Sequence, residues 1–378
     1  MKKQLLTSTA LVAAGVLAVS GPALAQSKSP TLSVGGYSVQ AIGWADNNDT
    51  NENGTTNGNT RVEFDTNTDY EIFFTGSVTL ENGIRIRTQV QLEGDQNADQ
   101  IDETWMRVGN ADLGELRMGA ADMGGKSATS GFIGDRSTNV SEVAAFDLGQ
   151  WLQTPATVSG SVNGEMDLSG DGDQISYVKT FAPVGLTIGV GYAPSAQQDN
   201  GTRTLKNAAD HDIWSLGANY VGKFGNAGVG IAAGYSFAKE DTDNKTDDPE
   251  AWIIGAYVDF SGFRLGVSKT EVDQQDTTAT GLTAVAGREV FSIGGRYTFG
   301  PNQVQLAYIE SEAQADGTNA ANGDEISVLK LAYQRALGPG VFWQIHAYSA
   351  DFDDALNGAA AANSNDGEAV VMGLRVHF

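Results

Sequence analysis

The sequence predicts an all-β protein, a transmembrane antiparallel β-barrel of about 16 strands, and three observations carry that expectation. Apolar residues recur at every second position in many segments, as in Val370, Met372, Leu374, Val376 and Phe378, with Val371, Gly373, Arg375 and His377 between them. That two-residue period belongs to a strand with one apolar face. The segments are joined alternately by very short and much longer connections. Finally, the faces opposite the apolar ones are polar or small, which is wrong for a packed protein core.

The first element is an export leader. Lys2 and Lys3 open it, an apolar stretch runs from Leu5 to Val19, and Pro22-Ala23-Leu24-Ala25 ends it in small residues. Cleavage after Ala25 makes residues 1–25 a signal peptide and leaves 26–378 for the barrel. No later segment offers about 18 consecutive apolar residues, so any membrane crossing is made by strands. Without the leader the chain has 21 basic and 47 acidic residues, a formal charge of −26, and such a surface repels nucleic acid. None of the 378 residues is cysteine, which excludes disulfide staples and thiolate metal sites.

Strands are expected at Leu32–Ala45, Asp69–Leu80, Ile84–Gly94, Ile101–Gly109, Leu113–Gly119, Asp173–Phe181, Val184–Ala193 and His211–Val221. The series continues through Asn226–Lys239, Ala251–Phe260, Phe263–Val272, Arg288–Phe299, Asn302–Ser311, Glu325–Ala336, Val341–Ala350 and Glu368–Phe378. Tight turns at Glu81-Asn82-Gly83, Ala182-Pro183, Phe224-Gly225, Ser261-Gly262, Gly300-Pro301 and Gly338-Pro339-Gly340 alternate with long polar stretches such as Ser195–Asp210 and Asp351–Gly367. Short turns at one rim and long loops at the other suit a membrane barrel better than a soluble sandwich. Trp252 and Phe260 lie eight residues apart, as do Phe291 and Phe299. At about 3.3 Å per residue and a tilt near 40°, each pair spans roughly 20 Å of height, so the rings mark the two edges of an apolar band.

The other faces carry Arg85, Arg87, Gln89, Gln91 and Glu93 in one strand and Gly228, Gly230, Ala232, Gly234 and Ser236 in another. With the apolar face on lipid, these meet water, and the small residues are expected to leave the interior open. One connection, residues 120–172, is far longer than the usual loop. It carries Asp122, Asp135, Glu142 and Asp147, with Lys126 and Arg136 among them, and a helical turn is expected within Val143–Trp151. Folded inward as a long third loop, it narrows the opening and sets its carboxylates against Arg85, Arg87, Arg107 and Arg117 across a water-filled gap. Two plainer readings stand beside this one. The loop can be an ordinary external loop with solvated charges, and the arginines can simply pair with neighbouring carboxylates.

Gly35-Gly36-Tyr37, Asp69-Tyr70-Glu71-Ile72-Phe73-Phe74, Thr79-Leu80-Glu81-Asn82-Gly83, Gln91-Leu92-Glu93-Gly94, Gln100-Ile101-Asp102-Glu103 and Gly114-Glu115-Leu116-Arg117-Met118-Gly119 occur in this order. Together they resemble the N-terminal third of general porins of Gram-negative bacteria, most closely the α-proteobacterial type. The resemblance implies a homotrimer of 16-stranded barrels in the outer membrane, surrounded by lipid and lipopolysaccharide, each pore narrowed by its third external loop. It implies that Phe378 is read by the machinery that inserts barrels. Asp122, Asp135, Glu142 and Asp147 become the negative side of the narrowing, and Arg85, Arg107 and Arg117 the positive side. The asparagine-rich stretch Asp46–Asn59 departs from the family pattern.

Other motifs fall short of a site. Gly124-Gly125-Lys126-Ser127 lacks the first glycine of a phosphate-binding loop, since position 120 is Ala120. Asp167-Leu168-Ser169-Gly170-Asp171-Gly172-Asp173 resembles part of a calcium loop, but the closing position is Val178, leaving only an incidental Ca²⁺ site and no required cofactor. His211, His346 and His377 lie on separate expected strands and supply no nucleophile–base spacing, so no enzyme is expected. The expectation is a passive channel for small hydrophilic solutes and ions, its net acidity giving a weak cation preference. Its rivals are a substrate-specific channel and a structural or adhesive barrel with a plugged interior.

Overall fold

The structure is a computed structural model that describes residues 29–47, 62–94, 100–140, 144–152, 154, 158, 162–170, 172–196, 211–239, 248–273, 287–313, 323–353 and 364–378. The export leader and Glu142 lie outside the described residues.

Sixteen strands form one closed antiparallel barrel in which every strand pairs with its sequence neighbours and β1 pairs with β16. They are β1 (Thr31–Asn47), β2 (Phe64–Thr79), β3 (Arg85–Glu93), β4 (Ile101–Asn110), β5 (Gly114–Ala120), β6 (Asp173–Phe181), β7 (Leu186–Ser195) and β8 (His211–Phe224). The second half is β9 (Ala227–Lys239), β10 (Glu250–Phe260), β11 (Phe263–Asp273), β12 (Arg288–Phe299), β13 (Asn302–Ala313), β14 (Glu325–Gly338), β15 (Val341–Asp353) and β16 (Asn365–His377). Several strands outrun the alternating pattern that predicted them. β2 starts at Phe64 rather than Asp69, and β15 runs to Asp353 rather than Ala350. After Phe64 the added residues of β2 are polar on both faces, and those of β15 turn Phe352 inward between Asp351 and Asp353, so the apolar-outward pattern fades while the backbone ladder continues.

Closure leaves no unpaired sheet edge, which a strand in hydrocarbon could not tolerate. At the seam the last residue is clamped twice: Phe378 donates its N–H to the Gly36 carbonyl at 3.1 Å, and the Gly36 N–H donates to the Phe378 carbonyl at 3.0 Å. The Ser261-Gly262 hairpin shows why the short turns hold. Both residues have positive φ, 49° and 87°, the left-handed pair whose twist matches that of antiparallel strands.

The apolar face of the alternation lies outside. Ile254, Phe260, Leu265, Phe291, Ile293, Leu306, Leu331 and Met372 are all exposed. Phe260, Phe263, Tyr297 and Phe299 gather at the short-turn end, where the Phe263 and Tyr297 rings stack at 4.2 Å. Near the long-connection end Tyr192 and Trp214 approach to 4.9 Å, with Tyr235 and Trp252 in register on neighbouring strands. These two aromatic belts sit where the sequence spacing placed them.

Candidate pore: the enclosed wall and the segment against it

Between β5 and β6 the chain forms α1 (Gly124–Thr129), a 3₁₀ turn (Ser130–Phe132), α2 (Gly134–Thr138), a second 3₁₀ turn (Ala144–Phe146) and α3 (Leu148–Trp151). The wall residues it touches alternate with the exposed apolar ones. Ser215, Ser268 and Ser292 are buried while Leu216, Val267 and Ile293 are exposed, so the contacts lie on the enclosed face. Side chains rising from the wall reach main-chain atoms of the segment. The Gly124 N–H donates to Ser176 Oγ and the Gly134 N–H to Ser268 Oγ, each at 2.9 Å. Asn219 Nδ2 donates to the Ala128 carbonyl at 2.7 Å, and Gln305 Nε2 to the Asp135 carbonyl at 2.9 Å. Short helices leave most of their N–H and C=O groups without helical partners, and these wall groups supply them.

Glycine has a different role from the expected one. A Cβ on Gly189 would strike the Gly124 carbonyl oxygen, one on Gly217 that of Gly125, and one on Gly255 that of Phe132. The small inward residues of β7–β10 therefore do not leave free space. They form a trough in which the segment lies with its backbone against theirs.

Further round, the interior is dry, which corrects the expectation of a uniformly wet face. Phe146, Trp151, Leu152 and Val158 pack on Val39, Ile309, Val328, Tyr348, Phe352 and Val371 from β1 and β13–β16. Phe146 stacks on His346 at 4.7 Å, and Tyr348 Oη donates to the Phe146 carbonyl at 2.5 Å. Gly43 and Gly373 make room for the Trp151 and Phe146 rings. Burying such side chains contributes about 1.5–3 kcal/mol each, enough to anchor this end of the segment.

The opposite sector is charged. Arg87 on β3 pairs in register with Arg107 on β4, and Arg107 with Arg117 on β5, forming a lateral row of three guanidiniums. Directly opposed like charges repel, and Glu115 lies among them. Its carboxylate is 2.8 Å from Arg117, 3.6 Å from Arg87 and 3.9 Å from Arg107. Arg107 also lies 3.9 Å over the Trp105 ring, which orients its planar fork. Arg117 Nη1 donates to Ser127 Oγ at 2.9 Å, joining the row to the segment. Arg85 sits nearer the short turn, exposed, and makes none of these contacts. Side-chain exposures of 17–29% across the row and Glu115 mean that solvent reaches these groups inside a closed barrel.

Among the expected acidic residues, Asp122 is held by Lys126 at 2.7 Å, four residues on. Lys126 also meets Asp167 at 3.1 Å and Glu165 at 3.2 Å, while Arg136 pairs with Glu165 from the other side. This clasp ties the start of the segment to its end. Burial disfavours the Lys126 charge, yet Asp167, Asp122 and Glu165 together hold the ammonium above the ordinary lysine range. Burial pushes the Glu165 carboxyl up as well, but Arg136 and Lys126 outweigh it and leave the group below the ordinary glutamate range. Asp135 lies in α2 and is half-buried, and Asp147 precedes α3.

A second acidic group went unnoticed in the sequence. The carboxylates of Glu71, Glu93 and Asp102 lie within 4.8 Å of one another. Tyr37 Oη donates to Glu71 at 2.5 Å, and Gln91 Nε2 donates to Glu71 and Asp102 at 2.9 and 2.8 Å. Nearby, Asp69 accepts the Ala144 N–H at 2.8 Å. These acids lie nearer the long-connection end of the wall than the arginine row, about 17 Å along the strand from Arg107 to Asp102. Charge is thus separated along the barrel axis as well as across it.

Comparison with known proteins agrees with this architecture. The anion-selective porin from Comamonas acidovorans is 16% identical, with a TM-score of 0.57 over 93% of this chain and 100% of that one. The outer membrane channel DcaP of Acinetobacter baumannii is 10% identical, with a TM-score of 0.61 over 92% and 97% of the two chains. OmpT of Vibrio cholerae, in its trimer form, is 10% identical, with a TM-score of 0.59 over 93% and 100%. At these identities the likeness concerns the fold. No curated protein sequence matches the chain. The Gram-negative porin family profile matches residues 7–355, and the chain belongs to that family.

Proposed function

We infer that the chain forms a water-filled channel through which small hydrophilic solutes and ions diffuse passively. One observation carries this reading: Arg87, Arg107, Arg117 and Glu115 keep 17–29% of their side-chain surface exposed within a closed barrel whose outer face is apolar. Charges so placed need water around them. Segment 120–172 then narrows the passage. It carries Asp122, Asp135, Glu142 and Asp147 besides the clasp residues Glu165 and Asp167, and Arg85, Arg87, Arg107 and Arg117 stand on the strands facing it. Selection follows from width and from the field between them.

Family membership supports a site in the Gram-negative outer membrane, within lipid and lipopolysaccharide, reached through cleavage of the 1–25 leader. The Phe378–Gly36 clamp supports reading Phe378 as the residue by which insertion machinery closes the barrel. A homotrimer is supported by a polar patch on the outer face. Ser38, Gln40, Thr68 and Tyr70 occupy outward positions of β1 and β2, with Gln40 Nε2 donating to Tyr70 Oη at 2.8 Å. A second subunit suits such a patch better than hydrocarbon does, and OmpT of Vibrio cholerae has a trimer form.

The apolar wedge around Phe146 and Trp151 favours one rival, a plugged barrel. Single-channel recording in planar bilayers separates them. The expected result is stable conductance steps that scale with salt conductivity, and purified barrels giving no steady current would overturn the channel.

A further inference from the structure

A second basic row lines the enclosed face at the short-turn end, on the opposite side of the barrel from Arg87, Arg107 and Arg117. Lys223 on β8, Gly228 on β9, Asp259 on β10, Arg264 on β11 and Arg296 on β12 are successive lateral neighbours across five strands. They line a cleft of about 440 Å³ with Thr298, open toward the turns. Gly228, without a side chain, forms a notch between Lys223 and Asp259. Lys223, Arg264 and Arg296 against Asp259 leave the lining with a net charge of +2.

The two arginines are held rather than mobile. Arg264 grips Asp259 with two bonds of 2.6 and 2.7 Å, lies 4.0 Å over the Tyr257 ring, and donates Nη1 to the Ser137 carbonyl at 3.1 Å. Arg296 donates Nη1 to the Asn139 carbonyl at 2.9 Å, leaving its Nε and Nη2 donors uncommitted by that bond. The one carboxylate of the cleft is spent on Arg264. Among the described residues, neither Arg296 nor Lys223 has a carboxylate within ion-pair range. Arg264 and Arg296 sit directly opposite each other on adjacent strands, a like-charge pair that an anion between them relieves. Arg264, fixed by the ring and the Ser137 carbonyl, and Arg296, fixed by the Asn139 carbonyl, are pre-organised for the oxygens of a carboxylate or phosphate.

We propose that this cleft is a docking site for a small solute carrying two negative charges, a dicarboxylate or a phosphate ester, at the short-turn mouth. The solute's route rests on the channel reading; its binding does not. The site lies beyond the segment from the acidic group of Glu71, Glu93 and Asp102, so a dianion is repelled at one end of the barrel and retained at the other. When the site saturates, flux of such solutes then differs between the two directions.

Two measurements on the full mature barrel test this. In the first, equilibrium dialysis of inorganic phosphate at mildly alkaline pH, and separately of glutarate, is run against detergent-purified protein. Saturable binding is expected, weakened about fivefold by Lys223→Gln and strengthened by Asp259→Asn, which removes the cleft's one carboxylate. Lys223 is exposed near the rim, so its loss leaves the fold intact. Binding that is absent, or that neither substitution alters, overturns the proposal; binding of phosphate alone or glutarate alone supports it and names the solute class. In the second, phosphate added at the short-turn side of a planar bilayer reduces the current more than phosphate added at the other side. Equal effect from both sides overturns the proposed location. Intact binding without any current contradicts the channel while supporting the cleft.

Discussion

Two sectors of the barrel interior look alike in sequence and behave oppositely. The inward residues of β3–β5 include Arg87, Gln89, Arg107, Glu115 and Arg117, and they remain partly solvated. Away from the short-turn cleft, those of β7–β12 include Gly189, Ser215, Gly217, Gly255, Ser268 and Ser292, and they are closed over by segment 120–172. Both sectors are non-apolar faces of alternating strands. What separates them is side-chain length. Long charged residues meet the segment only through the ends of their side chains, as Arg117 meets Ser127, whereas glycine and serine let its backbone approach and offer hydroxyls to its unpaired N–H groups. A polar inward face therefore marks either a water-lined wall or a bed for another part of the chain.

Substitutions can sharpen this contrast, beginning with the one expected to cost most. Trp151→Ala empties the dry end of the segment's anchorage and lowers stability to urea by about 3 kcal/mol, read from unfolding of the barrel in detergent. Gly217→Val on the bed collides with the Gly125 main chain, costs about 2 kcal/mol, and makes the segment sensitive to protease. By contrast, Gln89→Val on the solvated sector changes stability by less than about 1 kcal/mol, because its side chain is half-buried and its bonds to Thr75 and Gln91 can be replaced by water.

Smaller effects concern charge. Glu115→Gln frees three guanidiniums from their shared counter-charge, and the reversal potential under a salt gradient moves toward anion preference with little change in stability. An unmoved reversal potential would place the row outside the conducting path. The Lys126 clasp sets the pH range. Glu165 lies below its ordinary range, so its contribution is complete above about pH 4.5 and fades only as pH falls through the depressed value. Lys126 lies above its range, so its contribution is complete below about pH 10.5 and fades as pH rises beyond that. Channel noise is expected to stay constant from about pH 5 to 10 and to rise outside it.

The barrel was legible because alternation, turn chemistry and aromatic spacing are local properties. Val370 through Phe378 shows its outer face without reference to any other segment, and Ser261-Gly262 announces its own hairpin. The bed was not legible, because Gly134 meets Ser268 and Gln305 meets Asp135 across more than a hundred residues. Period tells which way Gly217 and Gly255 face and says nothing of what lies on them. The arginine row lies between these cases. Its members were named from the sequence, but their mutual register follows only once the strand pairing is known, and Glu115, quoted only within its motif, is the neighbouring carboxylate of the plainer reading. The bond from Lys126 to Asp122 was visible as a spacing of four residues, yet that acid was read as facing the wall. Arg264 and Arg296 were overlooked beside the aromatic residues of the short-turn rim.

The absence of cysteine permits a direct test of whether water fills the enclosed space and stops at the bed. Single substitutions Gln89→Cys, Ser215→Cys and Leu216→Cys place a thiol on the solvated sector, beneath the segment and on the outer face. A charged, membrane-impermeant thiol reagent is then added during conductance recording. Rapid modification of the Gln89→Cys variant with a stepwise change in current, and silence from the other two, is the expected result. Silence at position 89, or rapid modification at 215, would contradict a channel running between the arginine wall and a seated segment.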